Sequence, residues 1–111
     1  MKQLRFRETN SDIFEAVRDG KKKVETRAAT PKFTDIKIGD NIELICGKDK
    51  FVKSVKKVEI FKTVSELLKK NKVEEINPEI KSEKELEEMY LSFPDYEEKI
   101  KKYGLIAFEL I

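Results

Sequence analysis

The sequence predicts an α+β protein, a small mixed β-barrel of about five to six strands with helices on its periphery. Segments with the alternating apolar pattern of strands occupy the first half of the chain and return at its end, while good helix formers occupy most of residues 63–103. The strands are too short for a wide open sheet, so a barrel is the economical arrangement. A chain of 111 residues is long enough for one hydrophobic core and too short for two, so we expect residues 1–111 to form one domain.

The chain begins with a predicted strand, a short helix and a glycine that ends the helix. Residues 4–7 alternate apolar and basic side chains, as in a half-buried strand. Asp12 and Glu15 have the three-residue spacing of a capping box, which predicts the start of a helix. Gly20 lies where a left-handed residue would end it.

Three more strands are predicted before the helical part of the chain. They cover residues 22–28, residues 41–46 and a longer segment that starts at residue 51. The apolar phase changes within the last of them, so a β-bulge near Lys56 and Lys57 is expected to restore the inward face. In the first of them, small or apolar side chains alternate with charged ones: Val24, Thr26 and Ala28 share one face, and Lys23, Glu25 and Arg27 share the other.

The second part of the chain predicts three helices and a closing strand. Residues 63–66 and 82–85 both have the Ser/Thr-x-x-Glu spacing of a capping box, and Pro78 separates the two helices that follow. A third short helix is predicted for residues 96–103, with Gly104 at its end. The closing strand is apolar almost throughout, which predicts a buried, central position in the sheet.

The residue types exclude several kinds of site. The sequence contains no histidine, and Cys46 is its only cysteine. This excludes catalytic pairs with histidine, an internal disulfide framework and a Cys-rich zinc site. We therefore expect no metal and no cofactor, and we expect Cys46 to be an inert core residue. An enzyme built on this chain would use Lys, Arg, Tyr, Ser, Thr or carboxylate side chains.

Charge is distributed unevenly, although the net charge is only +2. Residues 1–62 have a balance of +6 and residues 63–111 one of −4. This asymmetry predicts one face that attracts a polyanion such as RNA, although surface lysines can also serve solubility alone. No apolar stretch approaches the roughly 20 residues of a membrane span, and the first residues have no apolar signal-peptide core. We expect a cytoplasmic protein without a membrane partner, and a monomer.

The densest polar cluster follows Gly20, where three lysines precede a strand: Lys21, Lys22 and Lys23. Glu25 and Arg27 then share one face of that strand. Arg27 can bind a phosphate with its forked donors or stack on a base. Glu25 can accept a hydrogen bond from an exocyclic amine of a base, or it can pair with Arg27 or a lysine. The alternative is an exposed strand with alternating charges.

Residues 19–27 resemble the motif of the ASCH family, Gly-x-Lys-x-x-Glu-x-Arg after the first helix. Residues 38–42 resemble the Gly-Asp turn of that family, and residues 93–107 resemble its closing element. The likeness extends over essentially the whole chain, which is similar to the small stand-alone archaeal and bacterial ASCH proteins. The positions that carry it are Gly20, Lys22, Glu25 and Arg27 of the motif, followed by Ala29 and Pro31.

The resemblance implies a PUA-like barrel with a cleft lined by the motif residues, and a function in binding RNA or a modified nucleoside. It also implies a link to translation or RNA handling. A separate alternative is a protein-interaction module, in which the acidic helices of residues 82–90 and 96–103 contact a translation-related protein partner. Two tyrosines near the end of the chain can add a stacking platform for bases. The expected ligand-binding residues are therefore Lys21, Lys22, Lys23, Glu25, Arg27, Tyr96 and Tyr103.

The resemblance also implies an alternative function, because some bacterial relatives are amidohydrolases that remove the acetyl group from N4-acetylcytidine. Such an enzyme would be metal-independent here, with Lys22 as the catalytic lysine. The pKa of the Lys22 side chain would have to be lowered by burial or by cationic neighbours. Glu25 occupies the position of the catalytic threonine of those relatives, and Thr26 points to the opposite face. Their second catalytic residue is a glutamate of the helical region, for which the candidates are Glu83, Glu85, Glu87 and Glu88. Some ASCH proteins have been assigned nuclease activity, but this sequence supplies neither a metal cluster nor a histidine pair to support it.

Overall fold

The computed structural model covers residues 1–111 and contains one mixed sheet of five strands that curls into a half-barrel. The strands are β1 (Lys2–Phe6), β2 (Val24–Ala28), β3 (Asn41–Cys46), β4 (Asp49–Phe61) and β5 (Leu105–Leu110). Their order across the sheet is β1-β3-β4-β5-β2; β1 runs parallel to β3, and the other neighbours are antiparallel. The predicted fold class, an α+β protein with a small barrel-like mixed sheet, is confirmed. Because β1 and β2 are free edges, the barrel stays open between them.

Helices surround the sheet, most of them between β4 and β5. They are a 3-10 helix (Glu8–Asn10), α1 (Ser11–Arg18), α2 (Val64–Lys70), α3 (Val73–Ile76), α4 (Glu83–Leu91) and α5 (Tyr96–Tyr103). Four α-helices therefore follow β4, where the sequence predicted three. The additional helix, α3, has a single turn, which is too short to produce a helical period in the sequence. None of the helices is both long enough and apolar enough to cross a membrane.

The two predicted capping boxes after β4 mark real helix starts, whereas the one predicted before α1 is wrong. Thr63 and Ser82 each accept the backbone N–H of the residue three positions later, at 3.1 and 3.2 Å. α1 begins directly after the 3-10 helix, and its N-cap residue, Asn10, makes no side-chain hydrogen bond. Asp12 therefore lies inside the first turn, where a negative charge is favourable but caps no N–H group.

The bulge predicted in β4 is present, and it lies where the strand changes its pairing partner. Val55 pairs with Leu110 and Lys57 with Glu109, so β4 advances two residues against one residue of β5. Before the bulge β4 pairs with β3, and from the bulge onwards it pairs with β5. Val55 and Val58 both pack against the main core, so the extra residue restores the inward phase of the strand.

β5 is buried on both faces because it separates two hydrophobic clusters. Its side chains alternate between them: Ile106, Phe108 and Leu110 belong to the main core, and Leu105 and Ala107 to a second cluster. The main core lies inside the curled sheet against α1, and it includes Cys46. The second cluster lies between the sheet and the helices α2 to α5. The central position predicted for the closing strand is confirmed.

Candidate binding cleft

A cleft of about 680 Å³ opens between the two free edges of the half-barrel. β1 and the start of α1 form one wall, residues of α3, α4 and α5 form the other, and β2 lies at the floor. The volume is within the range of roughly 300–1,000 Å³ that is usual for small-molecule sites. The cleft exists because no strand covers the outer edge of β2. A hydrogen bond of 3.2 Å from Arg27 Nη2 to the carbonyl oxygen of Arg5 links the two edges.

Lys22 is buried at the cleft, with only 4% of its surface exposed. The chain reaches this position through Gly20, whose φ of +84° turns it after α1. The ammonium of Lys22 donates to the carbonyl oxygens of Val24, at 2.8 Å, and of Ile76, and it contacts Glu25 Oε1 at 3.1 Å. Its three N–H donors therefore have three acceptors. Ile76 is the last residue of α3, so the ammonium satisfies a carbonyl group that the helix end leaves open.

Glu25 is 5% exposed and lies between Lys22 and Arg27. Its Oε1 faces Lys22, and its Oε2 accepts hydrogen bonds from Arg27 Nε at 3.1 Å and Nη2 at 2.9 Å. The guanidinium also lies over the rings of Phe6 and Phe33, 5.1 and 5.9 Å from their centroids. The alternative of an exposed strand with alternating charges is wrong, and the pairing of Glu25 is with both the arginine and a lysine. Lys22, Glu25 and Arg27 are called the motif triad below.

Burial and mutual attraction change the pKa values of the motif triad. Burial lowers the pKa of Lys22 below its ordinary value, and the attraction of Glu25 offsets only part of this effect. Burial alone would raise the pKa of Glu25, but the nearby charges of Lys22 and Arg27 together outweigh it, so the pKa of this carboxyl is lowered. Glu25 is therefore a carboxylate at neutral pH, which keeps the two cations in place.

Thr26 and Tyr90 bring two hydroxyl groups to the floor of the cleft. Thr26 points to the face of β2 opposite to Glu25, and its Oγ1 forms a hydrogen bond with the hydroxyl of Tyr90 in α4. Tyr90 is 1% exposed, and burial raises the pKa of its phenol, so the group is neutral. Tyr96, at the start of α5, lies parallel to Tyr90 with the ring centroids 6.4 Å apart. The hydroxyl of Tyr96 accepts the backbone N–H of Ala28 at 3.4 Å.

Two solved structures are similar to this chain over nearly their whole length. The crystal structure of hypothetical protein PH0355 is 35% identical in sequence, with a TM-score of 0.84, over 99% of this chain and 97% of that chain. The chain belongs to the same family as PH0355. The solution structure of protein PF0455 from Pyrococcus furiosus is 34% identical, with a TM-score of 0.75, over 98% of this chain and 94% of that chain. No protein-family model and no curated protein matches the sequence.

In this member of the PH0355 family, four of the predicted binding residues come together at the cleft: Lys22, Glu25, Arg27 and Tyr96. Three others are exposed and lie outside it: Lys21, Lys23 and Tyr103. Tyr103 shares α5 with Tyr96, but seven residues place it about 10 Å farther along the helix axis. The four glutamates considered for catalysis are also exposed and outside the cleft: Glu83, Glu85, Glu87 and Glu88. The carboxylates of the helical region that do line it are Glu79 and Asp95.

The sequence did not predict several residues of the cleft: Arg5, Arg7, Asn77, Glu79 and Tyr90. The basic alternation of residues 4–7 indicated a strand, but not that this strand borders the same opening as β2. No local signal indicated Asn77 or Tyr90, because their positions depend on how α3 and α4 pack over β2. No group of His, Cys, Asp or Glu side chains is placed to hold a metal ion.

Proposed function

We propose that this protein is a small PUA-like ASCH domain that binds RNA or a nucleoside in the cleft between β1 and β2. The observation that carries the proposal is the convergence of Lys22, Glu25 and Arg27, the residues that match the ASCH motif, at a cleft of about 680 Å³. The triad holds the guanidinium of Arg27 in one orientation, and a preorganised arginine is suited to bind phosphate or to stack on a base.

The rim of the cleft supports a polyanionic ligand. Arg5 and Arg7 line it, are exposed and form no ion pair with a carboxylate. Such cations are suited to the phosphates of RNA, which contribute much of the affinity of RNA-binding proteins. Tyr96 offers a half-buried ring on which a base can stack. Besides Glu25, three carboxylates line the cleft, so we assign the phosphate contacts to the two arginines rather than to a uniformly positive surface: Asp12, Glu79 and Asp95.

A metal-independent amidohydrolase that acts on N4-acetylcytidine, or on a similar acylated nucleoside, is the second candidate. The lowered pKa of Lys22 favours it, because a catalytic lysine must lose its proton. Against it, the ammonium of Lys22 already donates to three acceptors, and Glu25 stands where the hydrolytic relatives have threonine. Ligand binding leaves the triad as it is, whereas catalysis by Lys22 requires it to release at least one acceptor. Binding is therefore the better-supported function.

Fluorescence anisotropy with a labelled single-stranded RNA tests the binding function. We expect affinity that falls with salt, and we expect Arg7→Ala to reduce the slope of log K against log salt by about 0.7, the contribution of one phosphate contact. Lys69→Ala is the matched control, because Lys69 is exposed on α2 and lies outside the cleft. Absence of salt-dependent binding, or equal slopes for the two variants, would overturn the proposal.

Incubation with N4-acetylcytidine separates the two candidates. The binding function predicts no release of cytidine above the uncatalysed rate. Release that disappears in Lys22→Arg, with the variant folded as judged by circular dichroism, would establish the hydrolytic function instead. Arginine keeps the positive charge beside Glu25 but cannot act as a base or nucleophile at neutral pH.

A further inference from the structure

The hydroxyl groups at the floor of the cleft have protons that no protein group accepts. Thr26 and Tyr90 share one hydrogen bond, in which one hydroxyl donates to the other. Two hydroxyls have two protons, so one O–H of this pair has no acceptor within the protein. Tyr96 adds another such group, because its oxygen accepts the N–H of Ala28 while its own O–H donates to no protein atom. All three side chains line the cleft.

The charged groups beside these hydroxyls leave donors rather than acceptors. Arg27 uses Nε and Nη2 to bind Glu25 and the carbonyl of Arg5, whereas Nη1 donates to no protein atom. The carboxylate of Glu25 is the strongest acceptor at this position, and both of its oxygens already hold Lys22 and Arg27. An exocyclic amine of a base needs a hydrogen-bond acceptor. The charged groups here offer it only a free donor of Arg27 and a carboxylate that already binds Lys22 and Arg27.

The open edge of β2 supplies a backbone acceptor between these donors. Lys23 accepts an N–H of β5 at 2.9 Å, so in this antiparallel pair the odd-numbered residues of β2 turn their backbone groups to β5. Thr26 is an even-numbered residue of β2, so its C=O and N–H point away from β5, to the open edge. Val24 and Ala28 behave in the same way: the C=O of Val24 and the N–H of Ala28 bind side chains at that edge. No side chain binds the backbone groups of Thr26.

We infer that the cleft selects a base with an imide edge, that is, a carbonyl next to a ring N–H, as in uracil and hypoxanthine. This inference rests on the proposed nucleoside- or RNA-binding function. The C=O of Thr26 accepts the ring N–H, and the free O–H groups of the Thr26–Tyr90 pair and of Tyr96 donate to the carbonyl oxygens. Cytosine and adenine present an amine and an unprotonated ring nitrogen at the same edge. Their ring nitrogen would meet the C=O of Thr26, acceptor against acceptor, and their amine would leave the free O–H groups without an acceptor. A site built for the imide pattern therefore discriminates against them.

Two pairs of nucleosides that differ at this edge test the inference: uridine against cytidine, and inosine against adenosine. Titrations followed through the backbone amide signals in NMR spectra of the full chain give four dissociation constants. We expect each oxo nucleoside to bind about tenfold more tightly than its amino partner, the change that one well-formed hydrogen bond can supply.

Removal of the hydroxyls assigns the preference to these residues. Thr26→Val combined with Tyr90→Phe removes both hydroxyls of the buried pair at nearly unchanged shape, and Tyr96→Phe removes the third with less risk to folding. We expect either variant to reduce the oxo-to-amino ratio below about threefold. Thr34→Val is the matched control, because Thr34 is exposed and outside the cleft, and it is expected to keep the full ratio.

Each outcome decides the inference. Equal affinity for the two members of each pair, or a preference for the amino nucleosides, overturns the inference and leaves the binding function in place. A preference that persists in the folded double variant and in Tyr96→Phe also overturns it, because these hydroxyls would then not supply the selection. If neither the nucleosides nor RNA binds, the proposed function and the inference fail together.

Discussion

Glu25 and Arg27, two residues apart on β2, are joined by two hydrogen bonds of 2.9 and 3.1 Å to the same carboxylate oxygen. Residues with this spacing share a face of a strand, and on a solvated face their attraction contributes little to stability. Here the side chain of Glu25 is only 7% exposed and that of Arg27 only 18%. With Lys22 on the other side of the carboxylate, the pair forms a buried network that holds the wall of the cleft.

Replacement of the central carboxylate is expected to destabilise the fold. Glu25→Gln leaves the buried charges of Lys22 and Arg27 without a counter-ion, and removal of one partner from a buried ion pair costs about 3–5 kcal/mol. Urea unfolding followed by circular dichroism measures the loss. Glu87→Gln, on the exposed face of α4, is the control and is expected to change the free energy of unfolding by less than about 0.5 kcal/mol. Equal stability of the two variants would contradict the network.

The stability of the wild type is expected to fall more steeply in acid than that of Glu25→Gln. The pKa of Glu25 in the folded protein lies below its ordinary value of 4.5, which applies to the unfolded chain. Between these two values the unfolded chain binds more protons, so stability rises with pH there and is lost as the pH falls through the folded pKa.

Urea unfolding between about pH 7 and about pH 3 measures this difference. Asp35 also contributes to the acid dependence of stability, because a hydrogen bond from Lys2 lowers its pKa. Asp35 is present in both the wild type and Glu25→Gln. Its contribution therefore cancels in the comparison. Parallel curves for the wild type and Glu25→Gln would show that Glu25 has the same pKa in both states, contrary to expectation.

Gly104→Ala is expected to destabilise the protein more than Gly20→Ala. Both glycines have a positive φ, +81° and +84°. A Cβ at Gly104 would lie 2.5 Å from the carbonyl oxygen of Phe61, whereas nothing lies within 4 Å of a Cβ at Gly20. We expect losses of at least about 3 kcal/mol at Gly104 and about 1 kcal/mol at Gly20, measured by urea unfolding. Losses of the same size would rule out the close approach of the α5–β5 junction to the end of β4.

Tyr96→Ala is expected to weaken binding of single-stranded RNA about tenfold or more, because a stacked base contributes about 1–3 kcal/mol. Tyr103→Ala is expected to leave the affinity unchanged, since Tyr103 lies outside the cleft at the other end of α5. Anisotropy titrations of both variants, after their folding has been verified, make the comparison. Weakened binding in Tyr103→Ala would contradict this expectation and would support the predicted stacking platform of two tyrosines.

Several parts of the fold could be predicted because they depend on residues that are close in sequence. β3 has the predicted bounds, residues 41–46, and the bulge between Val55 and Lys57 lies where the apolar phase of β4 changes. The caps at Thr63 and Ser82 follow from a spacing of three residues. α3 was not predicted because one turn has no period, and the start of α1 was misplaced because the preceding 3-10 helix leaves no separate capping position.

In the candidate site, too, some features follow from residues that are close in sequence and others depend on tertiary packing. The sequence by itself determined that residues 20–27 are the polar cluster, and that Glu25 and Arg27 share one face of a strand while Thr26 takes the other. Only the tertiary structure decided that these side chains are buried and form the floor of a cleft. The carbonyl of Ile76 that binds Lys22 comes from 54 residues later, and the hydroxyl of Tyr90 that binds Thr26 from 64 residues later. Alternation along a strand specifies the side on which a residue lies, but burial, hydrogen-bond partners and pKa shifts depend on what packs against that side.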